Sequence, residues 1–85
     1  MDVADLRAAI YAAYPLEKLP PPERRKAIRV AAGVTVEDAA KAMGIDPARL
    51  EQWETRVSPR VSASYRYRKL LAALETPKDQ SDNSV

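Results

Sequence analysis

Apolar positions along this chain recur at intervals of three and four and show no sustained alternation, the pattern of helices rather than strands. Val3, Leu6, Ile10 and Ala13 form the first stripe, with Asp2 placed to cap it and Tyr14-Pro15 to end it. Residues 15 to 22, Pro-Leu-Glu-Lys-Leu-Pro-Pro-Pro, predict a stiff connector, because proline suits neither helix interior nor central strand. A second helix is predicted from Pro21 or Pro22 to Ala32, with Ala27, Ile28 and Ala31 inward and Gly33 as its stop. Thr35 can cap a third helix whose inner residues are Ala39, Ala40 and Met43. Gly44 can stop it by turning left-handed at no steric cost. Asp46 can then cap a fourth, with Pro47 at its first position and Leu50 and Trp53 on the buried side. Residues 55 to 63 contain Pro59 and read as a loop. Ser62 or Ser64 can cap a fifth helix to Leu74, packing through Tyr67, Leu70, Leu71 and Leu74.

The predicted class is therefore all-α, a bundle of helices without internal repeats. Its parts are an N-terminal accessory helix over 1–14, a Pro-rich connector over 15–21, a helical domain over 22–74 and a polar, disordered tail over 75–85. The first helix either caps the core with Leu6 and Ile10 or supplies a dimer surface.

Composition narrows the chemistry. With 85 residues, this is one small domain, near the size where a single core only just suffices. It has no cysteine and no histidine, which removes disulfides, a thiol nucleophile and the usual zinc or haem ligands. Only Gly33 and Gly44 exist, so there is no glycine-rich phosphate loop, and no other residues are spaced as a catalytic motif. Neither an enzyme nor a cofactor is expected. No apolar run approaches the roughly 18 to 20 residues of a membrane span. The N-terminus carries acid before its apolar residues, unlike a secretory signal. A cytoplasmic protein is expected, with no small-molecule ligand and no sensor domain following the last helix.

Net charge is only +2, but its distribution is uneven. Residues 55 to 74 carry Arg56, Arg60, Arg66, Arg68 and Lys69 with no acid, and residues 23 to 32 add Arg24, Arg25, Lys26 and Arg29 against Glu23 alone. Such runs are either a phosphate-binding face or a solvated helix face.

The third and fourth predicted helices, joined by a short glycine turn, have the helix-turn-helix design, which presents its second helix to the DNA major groove. Residues 22 to 74 resemble the phage lambdoid repressor and Cro family of helix-turn-helix domains. The likeness rests on Arg29, the Ala-Gly-Val-Thr of 32–35, Ala40, the Met-Gly-Ile of 43–45, Leu50 and Trp53-Glu54. It implies a five-helix, lambda-repressor-like fold, to which the N-terminal helix is extra, and operator binding that regulates transcription. It also implies a small residue at Ala40 where two helices cross and an ion pair between Arg29 and Glu54. That pair is sensible in itself, since Glu54 ends a helix where the dipole disfavours an anion. The chain departs from the family's pattern at three places. Val36 stands where a phosphate-binding glutamine is common, Pro47 and Ala48 where polar base-reading residues open the recognition helix, and Arg56 where glycine usually follows.

With residues 46–54 in the groove, the candidate base contacts are Pro47, Ala48, Arg49, Glu51 and Gln52. Arg49 can fork onto guanine O6 and N7, Gln52 can pair with adenine N6 and N7, Ala48 can touch a thymine methyl, and Glu51 can accept from cytosine N4. Thr35 and Val36, at the start of the third helix, and Arg56, Ser58 and Arg60 in the loop are the candidate backbone contacts. Trp53 reads as a core anchor. The partner expected is double-stranded operator DNA, bound by a homodimer, because two-fold dimers read paired half-sites. The alternative reading keeps the fold but makes it a protein-interaction module, such as an antitoxin-like partner binder.

Overall fold

The computed structural model describes residues 2–75, and these form five helices with no strand among them. In chain order they are α1 (Val3–Ala12), α2 (Pro22–Ala31), α3 (Val36–Met43), α4 (Pro47–Trp53) and α5 (Val61–Glu75). Their starts follow from short polar side chains. The Asp2 carboxylate accepts from the Asp5 N–H at 2.9 Å, Thr35 Oγ1 from Asp38 at 3.1 Å, and Asp46 Oδ1 from Ala48 at 3.1 Å. α2 has no such cap; Pro22 opens it, where a missing N–H costs nothing.

Two helices stop in the same way. Gly33 and Gly44 both have φ of 75°, the left-handed region. After α2, the Gly33 N–H donates to Val30 O and the Val34 N–H to Arg29 O. After α3, the Gly44 N–H donates to Lys41 O and the Ile45 N–H to Ala40 O. Each pair satisfies two carbonyls that a helix end would otherwise strand, and turns the next apolar residue back to the core.

α1 packs on α3 and α5, α5 also packs on α2 and α3, and α3 carries α4. Leu6, Ala39, Ala40 and Leu50 have no exposed surface, and Met43, Tyr67, Leu70 and Leu71 are almost as deeply buried. Ile10 joins the same cluster, so α1 counts among the five helices of a single core. The connector is held too. Leu16 and Leu19 pack against the core, the Leu16 N–H donates to Arg68 O at 3.2 Å, and Arg68 Nη1 donates back to Leu16 O at 3.0 Å.

Three local expectations fail. Ala27 and Ala31 are exposed, and α2 instead buries Arg25, Ile28 and Arg29. Two alanines offer little apolar area, whereas arginine stems cover the core while their heads find fixed acceptors. Ser62 and Ser64 lie inside α5, which starts at Val61; the Ser64 hydroxyl donates to the Val61 carbonyl at 3.0 Å. Glu75, expected in the tail, ends α5 and pairs with Arg24 at 2.7 Å. The rest of the expected disordered tail, residues 76–85, lies outside the described residues.

Candidate nucleic-acid interface

α3 and α4 are joined by residues 44–46, the helix–turn–helix arrangement. α4 turns Leu50 and Trp53 inward and leaves Ala48, Arg49, Glu51 and Gln52 exposed, with Pro47 half-buried. The Trp53 ring lies 5.1 Å from that of Tyr67, a tilted contact inside the core rather than a surface platform. A helix of seven residues has no stability of its own in water, so its placement depends on what holds it.

Two buried arginines on α2 hold it. Arg29 donates through Nε to Glu54 Oε2 at 2.6 Å and through Nη2 to Glu54 Oε1 at 3.0 Å, while Nη1 reaches Val34 O at 2.8 Å. The pair is nearly dry, with side chains 10% and 6% exposed. The hydrogen bonds to Glu54 push the Arg29 pKa up; burial opposes this, and the Glu54 charge adds to the rise. One turn earlier, Arg25 pairs with no acid among the described residues. Its Nε donates to Pro20 O at 2.6 Å, its Nη1 to Trp53 O at 2.8 Å, and its Nη2 to Ser58 Oγ at 3.3 Å. It thus caps the carbonyl end of α4, where the dipole favours a cation, and ties in the loop beyond. Sequence reasoning misses this role, because it counts Arg25 with the phosphate-binding run. The available signal is its spacing of four from Arg29, on the face of Ile28.

The same holds for most of the basic residues. Arg66 donates to Met43 O, Arg68 to Leu16 O, Lys69 to Tyr11 O and Arg7 to Lys41 O. Lys26, Arg49, Arg56 and Arg60 are exposed, and their side chains make no hydrogen bond or ion pair with any described side chain or carbonyl. Exposed acids Glu37, Asp46 and Glu51, with half-exposed Asp38, lie in the same segment, from α3 to α4. Thr35 is exposed with its hydroxyl engaged in capping, and Val36 is half-buried against the core. Ser58 is exposed, and its oxygen accepts from Arg25.

The interface therefore brings Arg49 and Gln52 together on one exposed helix, with Arg56 and Arg60 following it in the chain. It does not bring the whole basic run there. No cluster of Asp and Glu among the described residues has the arrangement of a metal site. No helix among them is long and apolar enough to cross a membrane. Fold and site together define an all-helical protein whose exposed second helix of a helix–turn–helix unit is clamped at its carbonyl end. Comparison with known protein families, curated proteins and solved structures returns no match for this chain.

Proposed function

We propose that this protein is a cytoplasmic, sequence-specific DNA-binding regulator of transcription, of the repressor or Cro type. α4 lies in the major groove and the bound protein blocks access of the transcription machinery to the operator. The supporting observation is the clamped α4, with its inner side locked by Leu50 and Trp53 and its outer side, Ala48, Arg49, Glu51 and Gln52, open to solvent. Such a rigid side can carry bidentate contacts, Arg49 to guanine and Gln52 to adenine. Arg56 and Arg60 serve the phosphates, and Lys26 adds a third cation.

Seven residues of helix span about 10 Å, roughly three base-pair steps. That is too little sequence to mark a site, so the proposal includes a homodimer reading two half-sites. Catalysis and cofactors have no part in it.

Selection from random duplexes tests the reading directly. One enriched motif is expected, and Arg49→Ala and Gln52→Ala each weaken it by about 1–3 kcal/mol while relaxing preference at one base. Binding without any enriched sequence, lost at modest salt, would overturn specific readout.

A further inference from the structure

A second surface lies where α1, the carbonyl end of α3 and α5 meet. Tyr11 and Tyr65 are 85% and 52% exposed, and the Lys69 ammonium lies 5.7 Å from both ring centroids. Lys69 Nζ is fixed by the Tyr11 carbonyl at 3.1 Å, Arg7 Nη2 by Lys41 O at 3.2 Å and Arg66 Nη1 by Met43 O at 3.1 Å. Those bonds cap helix ends, but each uses a single donor. An arginine has five N–H groups and a lysine three, so most donors stay uncommitted. Between these cations is a hollow of about 540 Å³ against Ile10 and Ala42. Past Tyr65 and Arg66 it meets a second hollow against Met43, Ile45 and Ala63. Neither is lined by a carboxylate, although the chain has twelve.

We propose that this groove docks an acidic segment of a partner protein, whose carboxylates meet Arg7, Arg66 and Lys69 and whose aliphatic side chains fill the hollows. Cations already anchored to carbonyls lose less freedom on binding than free surface ones, and exposed tyrosines are low-entropy anchors. A nucleic-acid backbone has the charge but nothing apolar for the hollows. A second copy joined symmetrically through this patch would set like charges face to face. The groove uses residues outside the exposed side of α4, so its occupant is independent of the duplex reading.

Display selection of random 15-residue peptides on the full chain tests it. Ala8 is exposed and lines the first hollow, so Ala8→Glu adds a carboxylate there without removing any contact. Expected are enriched peptides rich in Asp and Glu interspersed with Leu, Ile or Phe, whose affinity falls at least tenfold on Ala8→Glu and in high salt. Duplex affinity should change less than twofold. If Ala8→Glu lowers the Tm, Tyr65→Ser serves for the same comparison, since Tyr65 is half exposed. No enrichment, peptides without acidic excess, or affinity unmoved by these variants would overturn the proposal. So would duplex binding that falls in parallel, which assigns the groove to nucleic acid, or a dimer abolished by Ala8→Glu, which assigns it to a second copy.

Discussion

Tyr67 holds an ionisable group in the middle of the core. Its ring packs against Trp53, and its hydroxyl is buried without a hydrogen-bond partner. Burial drives its pKa well above the usual tyrosine range, the Glu54 charge adds to the rise, and Arg25 and Arg29 pull against it. A group whose pKa is raised by folding stabilises the native state fully below its unfolded pKa. That stability is lost as pH climbs above about 10, where the unfolded chain gives up the proton and the folded one keeps it. Urea titrations should therefore show ΔG falling by up to about 1.4 kcal/mol per pH unit above pH 10. Tyr67→Phe should flatten that slope. At neutral pH the same variant should be neutral or stabilised by about 1 kcal/mol, because it removes a buried polar group that bonds to nothing. The sequence marks Tyr67 as core by its spacing from Leu70, Leu71 and Leu74. It carries no sign of the charges around it, which come from α2 and the end of α4.

Helices in this protein are finished by each other. Carbonyl ends of α1, α3 and α4 each receive a cation from elsewhere: Lys69 on Tyr11, Arg7 and Arg66 on Lys41 and Met43, and Arg25 on Trp53. Each contact meets the negative end of a dipole, and those on Tyr11, Met43 and Trp53 also satisfy orphan carbonyls, whereas Lys41 O already accepts from the Gly44 N–H. The strongest case is Arg25. Arg25→Met should cost about 3 kcal/mol, the loss of charged hydrogen bonds at 2.6 and 2.8 Å, measured by equilibrium unfolding in urea. Arg25→Lys should recover only part, since an ammonium cannot reproduce the planar fork. Turns are simpler. Gly44→Ala should cost about 1–2 kcal/mol of thermal stability, from the left-handed backbone alone, because an added Cβ meets nothing within 4 Å. Gly44→Asn should cost less. These stops and the three polar caps were legible in the sequence because each is set by residues a few positions apart.

Over the whole molecule, internal capping changes what the charge pattern means. Of nine cations in the two basic runs, the side chains of Lys26, Arg56 and Arg60 have no partner among the described residues. Outside the runs the same is true of Arg49, Lys18 and Lys41, and of these six Lys26, Arg49, Arg56 and Arg60 are the four assigned to the duplex. A duplex complex that used all four would have a slope of log K against log salt of about −4 per protomer, by roughly −0.9 for each phosphate neutralised. Measuring affinity between low and moderate salt checks this. A slope of about −8 per protomer, about twice that for the dimer, would mean that Arg24, Arg25, Arg66 or their neighbours leave their internal acceptors to reach DNA. The basic runs read as a phosphate-binding face only while each cation is taken as free.

The order of helices, the polar caps of three of them, two glycine stops and most of the apolar core were already written along the chain. The physical reason is that backbone preference and the 3.6-residue period act over a few neighbouring positions. Which arginines are buried, and for what, was decided only by the tertiary structure. Arg25 and Trp53 are 28 positions apart, and a guanidinium is worth burying only where folding brings stranded carbonyls within its reach. Lys26, the next residue of α2, carries the same charge and faces water, because its direction on the helix meets no such carbonyl.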